Sequence, residues 1–333
     1  MPEELPAYRA ADLLNDLLCA PRFQKEIIAE VLRAFPEKKR LLFVHIPKCA
    51  GSDLSVHLGA HFPSISQQLS DPRQASKGEL FRALGDLVRR LGLADSVLVR
   101  GHVNLSYFID RKLIRPVDRC FTVVRDPIQM AISMVNYVAS RIRWNSETRI
   151  LDLDTKIWLD VLGIGELPAT VSESFARQIC RIALRNHEIV RPNAICYWLG
   201  GGTSAEVLAR IRENNVEITD TSRYNSWLLH EWQINAQTRH NESIKFVTVD
   251  TLSVRELSYL GEITAEDASL YNAIERSLAK TTRYSITATG LQDTKQCLAR
   301  RLVRWGWPNQ LDKTAKTAQP ADPSLGSFFW RNG

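Results

Sequence analysis

The strongest constraint on this chain is the order of residue types across positions 41 to 54. Leu41-Leu42-Phe43-Val44-His45-Ile46 is a near-continuous apolar run of the kind buried in parallel sheets. Pro47-Lys48 turns the chain, Cys49-Ala50-Gly51-Ser52 makes a small-residue loop, and Asp53-Leu54 open what reads as a helix. Strand, tight loop and helix N-terminus together form an anion site from backbone N–H groups and the helix dipole. Lys48 sets a positive charge at its mouth. The expected ligand is a phosphate or a close relative. The plain alternative is a buried strand and an ordinary turn with a solvated lysine. A Walker A loop is excluded, because Lys48 precedes the single glycine instead of following a second one.

The rest of the chain alternates apolar strands with helical stretches, which predicts an α/β fold with a mostly parallel central sheet flanked by helices. Strands are expected at residues 41–46, 96–99, 120–124, 216–218 and 244–249. Helices are expected at 51–58, 79–91 and 127–143, through much of 154–190, from an N-cap at Thr203 to about 213, and at 222–238, with more up to 280 and at 291–305. Leu13, Leu14, Leu17 and Leu18, then Ile27, Ile28, Val31 and Leu32, stripe two short amphipathic helices. The implied division is an N-terminal helical extension at 1–38, a main domain at 39–305 and an extended or disordered tail at 306–333, rich in Pro, Gly, Ser, Lys and Thr.

Two further segments carry chemistry. Phe121-Thr122-Val123-Val124-Arg125-Asp126-Pro127 puts Arg125 at the end of a strand, on the rim where α/β sheets bind ligands, and starts a helix that holds Ser133. A guanidinium fork and a hydroxyl suit a terminal phosphate; the bland reading pairs Arg125 with Asp126. Between the two anion segments, Val99-Arg100-Gly101-His102 brings His102 to the same rim. An imidazole there suits proton removal from an attacking alcohol. His45, inside the first strand segment, reads as core support.

These segments resemble the PAPS-dependent carbohydrate sulfotransferases (PAPS is 3′-phosphoadenosine 5′-phosphosulfate), most closely the heparan sulfate and uronosyl 2-O-sulfotransferases. His45-Ile46-Pro47-Lys48-Cys49-Ala50-Gly51-Ser52 is similar to their 5′-phosphosulfate loop, Arg125-Asp126-Pro127 with Ser133 to their 3′-phosphate site, and Gly101-His102-Val103 to the element that holds their general base. The resemblance covers residues 41–143 well and 170–285 loosely. It implies a P-loop-like sulfotransferase fold and PAPS as sulfuryl donor, with the bisphosphate PAP as product and no metal required. Lys48, Cys49, Ala50, Gly51, Ser52 and Asp53 would hold the phosphosulfate, Arg125 and Ser133 the 3′-phosphate, with Lys48 and His102 catalytic. Lys280, Thr281 and Thr282 echo a segment that closes over the nucleotide, and Arg177 and Gln178 echo another family segment, as candidates for acceptor or structural contacts. Relatives carry Ser or Thr where this chain has Asp53, whose carboxylate would repel a phosphosulfate, so Asp53 is expected to face away.

Composition narrows the partners. The 333 residues carry 43 Lys and Arg against 37 Asp and Glu, a formal charge of +6 without a block of like charge. That balance suits an anionic cofactor, an anionic glycan or nucleic acid equally, although no block of charge marks a nucleic-acid arm. Six dispersed cysteines, with no Cys-x-x-Cys, argue for free thiols rather than zinc. Neither a signal peptide nor an apolar span long enough for a bilayer is visible, whereas the animal Golgi members of the resembled family carry a membrane anchor, so what the resemblance implies is a bacterial cytoplasmic enzyme without stable membrane insertion. The acceptor implied is a hydroxyl of an anionic polysaccharide, with a lipid-linked sugar or a small metabolite still open, as is oligomeric state. The rivals are an ATP-dependent kinase on a degenerate phosphate loop and a non-catalytic polyanion-binding domain.

Overall fold

The computed structural model describes residues 39–62, 64–66, 96–101, 103–234 and 243–281. The helices expected at 8–35, 79–91 and 291–305, the 306–333 tail, His102 and Thr282 lie outside them.

Five parallel strands form one sheet in the order β2-β3-β1-β4-β5. They are β1 (Lys39–Val44), β2 (Ser64–Ser66), β3 (Ser96–Gly101), β4 (Arg119–Val124) and β5 (Glu217–Asp220). Central β1 pairs Leu42 with Val99 on one side and with Cys120 on the other. Strand alternation divides the apolar residues between two faces. Leu41, Phe43, Leu98, Phe121 and Val123 meet helices α1 (Gly51–Gly59) and, further along the chain, α8 (Tyr224–Trp232). Leu42, Val44, Val97, Val99 and Val124 face the opposite layer. That layer contains α2 (Leu105–Asp110), α6 (Ala194–Trp198), α7 (Ser204–Glu213) and α10 (Ala265–Thr281). Leu41, Leu42, Phe43 and Phe121 are fully buried, each contributing roughly 1.5–3 kcal/mol. This explains why Leu41 to Val44 of the first strand are all apolar.

A second, all-helical core is built on α3 (Pro127–Thr148), with α4 (Leu153–Val161), α5 (Glu173–Leu184) and α9 (Val254–Ile263). Asp126 caps α3 by accepting from the Gln129 N–H at 2.8 Å, and Pro127 fills its first turn. Helix α7 opens on a reciprocal capping box between Thr203 and Glu206, as the expected Thr203 cap requires.

The expected strand at 244–249 is not one. Its buried Phe246 and Val247 join the α3 core, and their backbone is bound by a side chain. Asn136 of α3 accepts from the Phe246 and Val247 N–H groups at 2.9 and 3.0 Å and donates to the Val247 carbonyl at 2.8 Å. A buried apolar run with its polar groups satisfied in this way has no need of a ladder. Strand β1 also stops at Val44, before His45.

Candidate functional site

The chain leaves β1 toward β3 and β2 on one side, while β4 leads to β5 on the other. The crevice between β1 and β4 is therefore where the connections diverge, the usual ligand position in an open α/β sheet. The loop after β1 carries Lys48 and the turn after β4 carries Arg125, and the structure brings them together: Arg125 Nη1 donates to the Lys48 carbonyl at 3.3 Å.

The loop is unusual in its backbone. Lys48 (φ 65°) and Ala50 (φ 56°) are both left-handed, with Cys49 between them at negative φ. Each such non-glycine residue costs roughly 1–2 kcal/mol, and alternating φ signs turn successive N–H groups toward one concavity. Backbone strain of this kind is often found at functional sites and ligand clamps. Ala50 is the N-cap of α1 and supplies no side-chain cap. Within this turn the Cys49 N–H binds the Ile46 carbonyl at 3.3 Å and the Leu54 N–H the Ala50 carbonyl at 3.0 Å. The Gly51 and Ser52 amides have no protein acceptor among the described residues.

Gly51 is the one position in the loop where only glycine fits. A Cβ there would lie 1.8 Å from His45 Nε2 and 1.9 Å from its Cδ2. The His45 ring, stacked on Phe43 at 5.3 Å, is the floor against which the first turn of α1 rests. His45 thus supports the loop after β1 instead of filling the middle of a strand.

Several expected residues are placed differently from one another. Cys49 turns its thiol into the core, 1 % exposed, with Sγ 3.6 Å from Met130 Sδ, and burial pushes the thiol up to about 12. With its amide committed to Ile46 as well, Cys49 shapes the loop from behind and is withdrawn from the set of donor amides. Asp53 is buried and accepts from the Tyr224 hydroxyl at 2.9 Å, on the α8 side of the sheet. Ser52 is half-buried at the start of α1. Ser133 is half-buried on α3 and, among the described residues, hydrogen-bonds to neither Arg125 nor Lys48. Lys280 and Thr281 fall in the last turn of α10, with their side chains outside the description. Arg177 is exposed and pairs with Glu173, and Gln178 is exposed on α5.

The charge on this loop is positive and lacks an acid partner among the described residues. The Lys48 amine is lowered to about 8, first by burial and then by the neighbouring Arg125 guanidinium. No carboxylate forms an ion pair with Lys48 or Arg125 among the described residues. The ammonium rests instead over the Tyr137 ring, 4.0 Å from its centroid.

Two residues near the rim were not singled out from sequence. Tyr137, in the third turn of α3, lies within the segment around Ser133, where aromatic character alone does not mark a role. Arg100, the penultimate residue of β3, has a buried Nε without a hydrogen-bond partner, and burial lowers its guanidinium to about 10. A lone charge in the otherwise apolar Val97-Leu98-Val99 strand was the available signal. Among the described residues no group of His, Cys, Asp and Glu is placed to hold a metal ion, and no helix is long and apolar enough to cross a membrane. No family model, curated protein or solved structure matches the chain.

Proposed function

We propose that this chain is a PAPS-dependent O-sulfotransferase of P-loop-like fold acting on a carbohydrate hydroxyl, with an anionic polysaccharide as the favoured acceptor. The observation that carries this reading is the meeting of Lys48 and Arg125, two cations without carboxylate partners among the described residues, at the β1–β4 crevice over an uncapped helix N-terminus. A nucleotide that carries both a 5′-phosphosulfate and a 3′-phosphate calls for more than one cation at its site, and Lys48 and Arg125 come to this crevice from the ends of different strands.

In this reading the Gly51 and Ser52 amides and the α1 dipole take the 5′-phosphosulfate, and Arg125 with Ser133 takes the 3′-phosphate. The acceptor oxygen attacks sulfur in line with the bridging oxygen. The S–O bond to phosphate breaks as the new S–O bond forms, and PAP leaves with the bridging oxygen's charge neutralised by Lys48. The acceptor proton passes to His102, which the sequence places one residue beyond β3. A bacterial cytoplasmic setting is part of the same proposal.

Calorimetry with PAP against Mg-ATP is the first test. Preference for PAP supports the sulfotransferase reading, whereas tight Mg-ATP binding with indifference to a 3′-phosphate would replace it with a kinase. Transfer of labelled sulfuryl from PAPS to a polysaccharide panel, with His102→Ala as control, then separates an enzyme from a polyanion-binding domain. Unchanged turnover in that variant removes His102 from its role.

A further inference from the structure

We propose that Tyr137 is the resting seat of the Lys48 ammonium: its ring holds the amine charged and at the mouth of the anion loop until a ligand takes the charge over. The inference rests on the anion-site reading above, and Tyr137 acts in it as a positioning residue, not a catalytic one.

The geometry is specific. Lys48 Nζ stands 4.0 Å from the Tyr137 ring centroid, well inside the reach of a cation–π contact. The ring is itself held. Trp158 of α4 meets it edge-on, with centroids 5.6 Å apart and planes at 78°, and Trp158 packs against the helical core. The positive-φ backbone at Lys48 is held from the other side by Arg125, which binds the Lys48 carbonyl. Backbone and ring therefore fix both ends of a side chain that is otherwise one of the most mobile.

The charge needs such a seat. The groups that act on the amine are Arg125, which opposes its charge, and the buried Cys49 thiol, with no carboxylate among them. Around the ring stand Arg141, Asp152 and Asp154, and Arg141 is paired with Asp152 at 2.6 Å. The hydroxyl of Tyr137, raised by burial, stays protonated near neutrality and offers Lys48 no anion. What remains to face the ammonium is the negative face of the π system, which is more effective when desolvated. A cation–π seat is also reversible, since a phosphate or sulfate oxygen competes with it decisively.

The test follows the amine directly. In 13C-lysine-labelled full-length protein the Cε shift of Lys48, identified by its loss in Lys48→Met, is titrated in the wild type and in Tyr137→Phe and Tyr137→Leu. The expected result is an unchanged midpoint in Tyr137→Phe and a midpoint lower by about one pH unit in Tyr137→Leu. Tyr137→Met serves if the leucine variant unfolds. An unchanged or raised midpoint on loss of the ring overturns the proposal, and so does a shift in Tyr137→Phe, which would assign the effect to the hydroxyl. A parallel titration with PAP reads the consequence: the pH at which binding falls by half should move down with the amine. If the wild type binds no PAP, the nucleotide reading fails while the lysine titration still decides whether Tyr137 holds Lys48.

Discussion

Gly51→Ala tests the floor of the loop most sharply. The added Cβ would start 1.8 Å from His45 Nε2, and real Cβ contacts essentially never fall below 3.0 Å, so the ring or the helix must give by more than an ångström. The ring has little room beneath it, because it stacks on Phe43, which stacks on Phe121 at 5.0 Å. Overpacking of this kind costs roughly 1–3 kcal/mol, and loss of an aromatic stack adds roughly 0.5–1.5 kcal/mol. A total of about 2–4 kcal/mol is expected. The intrinsic preference of a helix for Ala over Gly offsets at most about 1 kcal/mol of it.

A double-mutant cycle assigns the cause. In a His45→Ala background the space is open, so Gly51→Ala should be neutral or slightly stabilising, giving a coupling energy of about 2–4 kcal/mol. Guanidinium unfolding of the four proteins measures it, with PAP calorimetry alongside. The single Gly51→Ala variant should lose PAP affinity because its loop amides move. Additive stabilities, with coupling below about 0.5 kcal/mol, would show that His45 does not support Gly51 and would refute the packing argument.

Three other perturbations follow. Lys48 has a lowered folded-state pKa, so its burial penalty is fully present below about pH 8 and is relieved as pH rises toward the unfolded value of 10.5, where the unfolded chain alone still holds the proton. Lys48→Met should therefore be more stable than wild type at pH 7 by about 1–2 kcal/mol after the lost cation–π contact is counted. That advantage should shrink between pH 8 and 10.5, and a pH-independent difference in denaturant midpoints would contradict it. Asn136→Leu strands two buried N–H groups and a carbonyl, so it should cost at least about 3 kcal/mol in chemical unfolding. A cost under 1 kcal/mol would mean that the 243–248 segment finds other partners. Arg100→Met removes a buried cation whose Nε has no partner and should stabilise the fold by about 1–3 kcal/mol, measured in the same way. A loss of stability there would show that the arginine stem packs better than methionine.

What was legible in the sequence was what local rules encode. The β1–loop–α1 unit, the Asp126-Pro127 helix start and the Thr203 cap each follow from neighbouring residues, and each is present. The misread strand at 244–249 failed because a buried apolar run has the same composition whether its N–H groups meet a ladder or a distant asparagine. Asn136 lies 110 residues from Phe246, beyond any window of periodicity. The short helices α2 and α6 were missed because five or six residues do not complete an amphipathic repeat. At the site, the types of Lys48 and Arg125 were legible, but their meeting across 77 residues was not, and neither was the ring under Lys48.

The placement of the acids explains why these cations have no acid partner among the described residues. Each has a carboxylate close by in sequence that could have neutralised it. Asp126, next to Arg125, spends its oxygen on the Gln129 N–H as a helix cap. Asp53, five residues from Lys48, is turned into the core to receive the Tyr224 hydroxyl. Asp220, at the end of the strand beside β4, is buried and held by the Ser222 and Arg223 amides and the Arg223 guanidinium. Had any of these paired with Lys48 or Arg125, an incoming anion would have had to break a salt bridge before binding. In the proposed reading, diverting all three acids would increase what an anion gains by binding here. With no acid beside it to offset burial and the neighbouring Arg125, the Lys48 amine stays lowered and rests against an aromatic face.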